Sequence, residues 1–489
     1  MSLETDNIIK FKNSKFKKQI DDTIDVTPTG KLDIGREKAE EAIYELRMIN
    51  EKHGFIKSFN GKTMISSMVY NEYHRRDIPE FITPETFQSM YSNIPAPEQG
   101  EKGAVPPLGK WWLSYPYRKE YETATFEPDK PPKEYEKDGK LIYNMWEGFS
   151  VEPKRGSWKY TIRHIYEILC NKDRAKFKYI MRWLAWCVQN PGSQAEVALI
   201  FKGKKGAGKG TILTHFKKLF GVHGFVISNR EHLTGKHNAH LQNLVFLFAD
   251  EAYNPGDREA EGILKNLITE GGITVEPKFH NPKLTRNCLH IAMATNNEWV
   301  IPATEDERRY FINQVDNKYA KGESSDFIRD KYFKNLWEEL REDGPGLSAM
   351  LYDLKYMQLN DYHPRYAIPM TDEMKKQIAM SLPKVKTAMF YFLEEGVFPG
   401  EIQDGKYVIT IDAFLEHIHN LDQHSYKTIS RKMLTSLMTE LEIPAIRTTF
   451  KRFWAFPELG QLRKTWSEKI MECETWDLSA TWQVDKPQY

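Results

Sequence analysis

The run Ile200-Phe201-Lys202-Gly203-Lys204-Lys205-Gly206-Ala207-Gly208-Lys209-Gly210-Thr211 constrains this chain more than any other stretch. An apolar segment, Val197 to Phe201, enters it as a strand, and the helical pattern of Ile212 to Phe220 leaves it. Glycines at 203, 206 and 208 free the backbone to curl, so that successive N–H groups point at one centre. Such a curl, with the positive end of the following helix, suits a phosphate group. Gly203, Lys204, Lys205, Gly206, Ala207, Gly208, Lys209, Gly210 and Thr211 are therefore the candidate nucleotide-binding residues, with Lys209 long enough to reach terminal phosphates. The usual pattern places Ser or Thr directly after the lysine as a magnesium ligand. Here Gly210 stands there and Thr211 follows, which leaves Thr211 to hold a metal directly or through a water. The plainer alternative is a glycine-rich turn in an unrelated α/β protein.

Bulk properties narrow the rest. A chain of 489 residues has room for two to four domains, and its composition is that of a globular protein. A net charge of +1 gives no global sign of nucleic acid, so any such binding must come from local basic surface or a pore built by several copies. Cys170, Cys187, Cys288 and Cys473 are scattered, which argues against a zinc ribbon or a disulfide framework. The polar, lysine-rich stretch Met1 to Lys18 lacks the apolar centre of a signal peptide, and no later run is long enough to span a bilayer. These features point to the cytoplasm, the host cytoplasm if the chain is viral, and away from a membrane.

Along the chain, residues 1–35 read as a flexible arm and 36–150 as a small α+β domain. Lys38 to Asn50 is helical in pattern, Phe55 to Tyr70 alternates around Gly61 as a hairpin does, and the Pro- and Gly-rich stretch from Pro95 to Lys140 predicts irregular connections. Residues 151–195 predict a helical collar, with apolar residues at helical spacing from Trp158 to Cys170 and Lys176 to Val188. Residues 196–375 alternate strand and helix. Val197 to Phe201, Leu244 to Ala249 and Leu289 to Thr295 are short, nearly continuous apolar strands of the kind buried in a parallel sheet. Residues 376–489 predict three helices, Thr387 to Leu393, Ile411 to Ile418 and Tyr426 to Leu441, and a ribbon from Ile446 to Phe456, which together fit a winged-helix domain.

Three further patterns bear on chemistry. The second apolar strand ends in Asp250-Glu251, and hydrolysis at a phosphate loop needs one carboxylate to hold magnesium and another to polarise water. Asp250 fits the metal role, with Thr211, and Glu251 the base. The third strand ends in Asn296-Asn297, where Asn296 is placed to orient an attacking water; the alternative is a turn signal. Arg308 and Arg309 follow Asp306-Glu307, and a pair there fits an arginine finger, as it also fits a surface ion-pair cluster. Spacing does not say which arginine it is.

Loop, Asp-Glu strand, Asn strand and arginine pair together resemble a superfamily 3 helicase, a branch of the AAA+ ATPases. The lead-in Tyr143-Asn144-Met145-Trp146-Glu147-Gly148-Phe149 and the Gly after Lys209 are similar to phage and plasmid primase-helicases. The resemblance covers about residues 140–320. It implies ATP and Mg2+ as cofactors, a hexameric ring with Arg308 or Arg309 acting across subunits, and single-stranded and forked duplex DNA as partners. It also implies a pore hairpin whose DNA contacts fall on Lys278 and His280, with Phe279 between them, an aromatic able to meet a base or sugar; the alternative is an ordinary exposed hairpin. Relatives of that kind often carry a primase or polymerase in cis or work with one in trans. The first 140 residues look too short for one, so the chain reads as a stand-alone helicase or the helicase half of a longer polypeptide. Lys427, Arg431, Lys432, Arg447, Lys451 and Arg452 near Phe450, Phe453 and Trp454 suit DNA-backbone contact, or equally a solvated face over core aromatics. Two competitors stay open: an AAA+ initiator or remodeller that does not unwind DNA, and a nucleotide kinase, whose loops also carry Gly-Lys-Gly-Thr.

Overall fold

A computed structural model describes residues 34–72, 76–98, 104–235, 238–253, 257–276, 282–304, 306–341, 344–422, 424–447, 451–473 and 476–484. The chain divides into two compact units, Met1–Glu147 and Gly148–Tyr489.

Among its described residues the first unit starts with α1 (Ile34–Lys52), which runs into the hairpin β1 (His53–Phe59) and β2 (Lys62–Asn71), then β3 (Arg76–Ile82), α2 (Pro84–Met90) and α3 (Leu108–Ser114). Asn60 and Gly61 turn the hairpin with φ of 53° and 76°, a conformation Gly adopts without strain. The irregular stretch expected from Pro95 to Lys140 instead holds α3, β4 (Glu120–Thr125) and β5 (Lys133–Lys137), and leads into β6 (Lys140–Asn144). These strands complete a six-stranded sheet of order β3-β2-β1-β4-β6-β5. Their sequences are charged and short, so the periodicity is weak. Parallel pairing of Phe55, Ile56 and Ser58 with Glu120, Tyr121 and Thr123 organises them. Ala42, Leu46, Phe87 and Trp112 form the apolar layer under this sheet.

The second unit begins with α4 (Lys159–His164), which passes into a π-helical turn, Ile165–Leu169, and then α5 (Arg174–Gln189), capped by Asp173. The expected helix from Trp158 to Cys170 is thus interrupted by a wider turn. Then follow β7 (Ala198–Lys202), α6 (Lys209–Leu219), β8 (Gly224–Ile227), α7 (Arg230–Thr234), β9 (Phe246–Asp250), α8 (Arg258–Thr269), the hairpin β10 (Gly272–Val275) and β11 (Lys283–Arg286), β12 (His290–Thr295) and β13 (Tyr310–Gln314). The five strands β13-β7-β12-β9-β8 form one sheet in that order, every pair parallel. β7 and β12 are buried along their whole length, which is why they read as unbroken apolar runs. Because β12 is inserted between β7 and β9, the loops that follow all three leave the same edge of the sheet side by side.

Helices α9 (Asp326–Glu339) and α10 (Pro345–Tyr356) follow, and then α11 (Asp372–Ser381), which spans the expected boundary at 375/376. Beyond it lie α12 (Lys384–Glu395), β14 (Val397–Phe398), β15 (Glu401–Gln403), β16 (Lys406–Thr410), α13 (Ile411–Leu421), α14 (Arg431–Glu440), β17 (Ala445–Arg447), β18 (Arg452–Phe456), α15 (Leu459–Lys469) and β19 (Gln483–Val484). The first two helices and the β17–β18 ribbon stand where the sequence predicts them, and the third begins at Arg431 rather than Tyr426, after a turn that ends in the N-cap Ser430. Strands β15 and β16 widen the ribbon to a four-stranded antiparallel sheet of order β15-β16-β18-β17. Phe392, Phe414, Phe456 and Trp482 stack into its core.

Candidate nucleotide site

The glycine-rich loop leaves β7 at Lys202 and enters α6 at Lys209. Gly206 and Gly208 have φ of 83° and 91°, and Gly208 is the N-cap residue of α6. A Cβ at Gly208 would stand 2.5 Å from His164 Cε1, and one at Gly203 would stand 2.6 Å from Val315 Cγ2. Gly208 is therefore required twice, for backbone conformation and for close approach, whereas Gly206 serves the conformation and Gly203 the close approach. Three braces hold the curl. Gly203 N donates to Thr295 O at 3.1 Å, Lys204 N donates to Asn317 Oδ1 at 2.9 Å, and Lys321 N donates to Lys205 O at 3.3 Å. Beneath the loop, His164 Nε2 lies 3.2 Å from Gly208 O and Nδ1 lies 3.0 Å from Tyr332 Oη. A carbonyl only accepts, so Nε2 carries the proton and the tyrosine hydroxyl donates to Nδ1. Burial pushes the His164 pKa down to about 4, which keeps that tautomer neutral. None of these supports, His164, Asn317 or Tyr332, carries a local sequence signal.

Lys209 is buried, and its Nζ donates to the carbonyls of Gly203 and Lys204 at 2.5 and 2.9 Å. Among the described residues no side chain caps the first turn of α6, in which Thr211 is half-buried. Burial lowers the Lys209 pKa, and the charges of Glu251 and Asp250 oppose that fall. Asp250 shows the counterpart: burial raises its pKa first, Glu251 raises it further, and Lys209 pulls it down. The three groups therefore lie within one another's fields at the C-terminal edge of the sheet. Glu251 directly follows β9 with φ of 54°, a left-handed conformation that costs a non-glycine residue about 1–2 kcal/mol. Its N–H is held by Ala294 O at 2.9 Å, one strand over. Asn296 follows β12 at the same edge and is exposed, as is Asn297.

The arginines lie elsewhere. β13 begins at Tyr310, opposite Ala198 at the start of β7, so Arg308 and Arg309 sit at the other edge of the sheet from Lys209. Four residues of strand put roughly 13 Å between the two ends of β7. Arg309 is half-buried and pairs with the buried carboxylate of Glu307 at 3.4 Å, whereas Arg308 is exposed. Lys278, Phe279 and His280 lie outside the described residues. The stem that carries them is an antiparallel ladder, Gly272↔Arg286 to Val275↔Lys283, braced by Asn238 on Thr274 O and Glu276 N at 2.8 and 2.9 Å. In the C-terminal segment Trp454 is core, Phe453 is half-buried, and Phe450 lies outside the described residues. Lys427, Arg431, Lys432, Arg447, Lys451 and Arg452 are all exposed, and Arg447 stands directly across the ribbon from Arg452.

Residues 201–309 match a family of unknown function, DUF5906. Over 287 residues the chain is 21% identical to a DNA primase-polymerase of Nitratiruptor phage NrS-1, a stretch covering 56% of this chain and 38% of that protein. The chain is related to a phage DNA primase-polymerase. It spans well under half of that relative's length. Two apo structures of the NrS-1 C-terminal region share its fold. One has a TM-score of 0.54 at 17% identity, covering 84% of this chain and 97% of that one. The other has a TM-score of 0.53 at 17% identity, covering 85% and 99%. Among the described residues no helix is long and apolar enough to cross a membrane.

Proposed function

We propose that the chain is an ATP-driven DNA helicase of the superfamily 3 kind, working in the replication of a phage or mobile element. The parallel-sheet layer is then an AAA+ core, and the helices and ribbon after α11 a winged-helix domain. The observation that carries the reading is the meeting of Lys209, Asp250 and Glu251 in one another's fields, at the edge of the sheet that the glycine loop and Asn296 share. Open parallel sheets bind ligands outside the carboxyl ends of their strands.

The residues present fit ATP with Mg2+. A loop packed so closely on its supports that a Cβ at Gly203 or Gly208 would collide with them, a buried ammonium donating to loop carbonyls and, among the described residues, a helix start with no side-chain cap form a cradle for phosphate oxygens. Among the described residues no group of three or more His, Cys, Asp or Glu side chains could hold a metal alone. That suits Mg2+, which keeps several waters and leans on one or two protein oxygens plus phosphate. Bound ATP and its metal would supply the transferable phosphoryl group. Loop amides from Lys205 to Gly210, beyond the two that brace the curl, and the Lys209 ammonium would hold the phosphates. Thr211 and Asp250 would hold the metal, Glu251 would accept a proton from water, and Asn296 would orient that water.

Arg308, exposed at the far edge of the sheet, is beyond reach of the loop in its own chain and free to meet a neighbour's, which supports a ring, hexameric by analogy. The stem of the β10–β11 hairpin would carry Lys278, Phe279 and His280 to single-stranded DNA at a fork. The relative's name supports a setting in DNA synthesis, with a primase or polymerase in cis or trans.

The test is ATP turnover and displacement of a strand from a forked duplex, by the wild type and by Lys209→Ala. Turnover and displacement that are both lost in the variant support the reading. Turnover without displacement by the wild type would select an assembly factor, phosphoryl transfer to a nucleoside monophosphate would select a kinase, and full turnover by Lys209→Ala would refute the site.

A further inference from the structure

Lys202 is the last residue of β7, directly before Gly203, yet its side chain is only 6% exposed. Its ammonium donates to Glu373 at 3.0 Å and Glu298 at 2.5 Å. Glu373, on the first turn of α11, is buried, whereas the Glu298 side chain is 84% exposed and screened by water. Gln377, one turn further along α11, is fully buried and uses both ends of its amide. Nε2 donates to Glu373 Oε1 and Glu298 O, each at 2.8 Å, and Oε1 accepts from Val300 N at 2.7 Å. Ser381, a turn beyond, accepts from Ala303 N at 2.9 Å. Two side chains on one face of α11, Gln377 and Ser381, thus bind the stretch 298–303, which begins two residues after Asn296, and Glu373 is joined to it through Lys202 and Gln377. The N-cap residue of the same helix, Thr371, donates to Ile312 O in β13. After Leu382 and Pro383 the chain enters α12, the first helix of the C-terminal segment.

We propose that Lys202, Glu373 and Gln377 form a buried clamp that positions Asn296 against the glycine loop and transmits the occupancy of that site through α11 to α12. The proposal rests on the ATP-hydrolysing reading above. Its physical basis is that both stems of the site, the ends of β7 and β12, are fastened to one helix by groups that cannot be released singly. Freeing Lys202 from Glu373 would leave the buried Glu373 carboxylate with the Gln377 amide but no counter-charge. Movement of the Asn296 segment therefore has to carry α11 with it. Lys202, Glu373 and Gln377 are positioning residues: their polar atoms engage one another and the segment after Asn296.

The decisive variant is the double substitution Lys202→Met with Glu373→Met. It exchanges a buried ion pair for apolar side chains of similar length, a change that folded proteins tolerate, and it leaves Glu298 in water. Gln377→Met is the companion, with Glu373→Asp as the conservative control. The expected result is a folded protein with ATP affinity within about threefold of wild type and a kcat lower by about 10²-fold, the scale on which a displaced group costs rate. In wild type, binding of a non-hydrolysable ATP analogue is expected to slow amide hydrogen exchange in α11 and α12; in the double variant that response disappears. Normal kcat, or an unchanged exchange response in the folded variants, would overturn the clamp while leaving the ATP site standing. Wild-type protein that binds no ATP would instead overturn the reading beneath it.

Discussion

His164 offers a quantitative check on how the glycine loop is held. Its imidazole joins Gly208 O to Tyr332 Oη and is buried. Replacing it with Phe keeps the bulk but removes the donor and the acceptor at once. Each of the two polar groups left without a partner costs about 1–3 kcal/mol, so the variant is expected to lose about 2–6 kcal/mol of stability at pH 8. The pKa supplies an independent signature. The unfolded chain takes up a proton near the ordinary value of 6.5, whereas the folded protein resists until about 4. The unfolded state thus binds more protons in that window, and stability contributed by neutral His164 is complete above 6.5 and drains away as pH falls toward 4. At pH 5 the wild type should have lost about 2 kcal/mol from this residue, which the Phe variant cannot lose. Urea unfolding followed by circular dichroism at pH 8 and pH 5 therefore should show the gap between the two proteins narrowing by that amount. His164→Gln, which places an amide donor near Nε2 but does not titrate, should recover stability at pH 8 and share the flat pH response. His53 and His290, pushed down by burial to about 4 and about 3, drop out of the comparison because all three proteins contain them. Unfolding curves whose separation is the same at both pH values would refute the buried neutral tautomer.

Other outcomes follow from the same geometry. Glu251→Gln should retain ATP binding and lower turnover by about 10²–10⁴-fold, read from binding and hydrolysis measured separately; equal loss of both would make Glu251 a binding residue instead. Gly208→Ala should destabilise the protein by about 1–3 kcal/mol, because its φ of 91° and the 2.5 Å approach to His164 both oppose a Cβ; a wild-type melting temperature would contradict the loop conformation. Arg308→Ala should fold normally and lose turnover by about 10³-fold or more, with partial recovery on mixing with Lys209→Ala subunits; absence of recovery would argue against a shared site. Lys278→Ala should keep ATP turnover and lose strand displacement, and normal displacement would remove the β10–β11 hairpin from the mechanism.

Much of the candidate site could be read from the chain because its parts are local. The loop announces itself by glycine spacing, and each stem is a buried strand whose apolar run ends abruptly in the residues of interest, Asp250-Glu251 and Asn296-Asn297. What escaped was whatever depends on contacts between distant residues. β8 and β13 are four and five residues long and take their place only by pairing with β9 and β7. β4, β5 and β6 carry mixed charges in a stretch rich in turn residues, and pairing makes them strands: β4 parallel to β1, β6 parallel to β4 and β5 antiparallel to β6. His164 and Lys202 look from sequence like ordinary polar residues of a helix and a strand end. Their partners, Tyr332 and Glu373, lie more than 150 residues away.

Sequence alone determined the chemistry available to this protein: a curl of amides with a lysine, two adjacent carboxylates and an exposed amide, each at the end of an apolar strand. Those follow from short-range rules, since glycine permits the curl and burial demands the apolar run. Tertiary structure decided which of these groups meet and which cannot. Insertion of β12 between β7 and β9 brings the lysine, the carboxylates and Asn296 to one edge, and the parallel direction of β13 sends Arg308 and Arg309 to the other. Strand order is settled by the summed burial of whole faces of the sheet, a property of the packed molecule that no local window of residues contains.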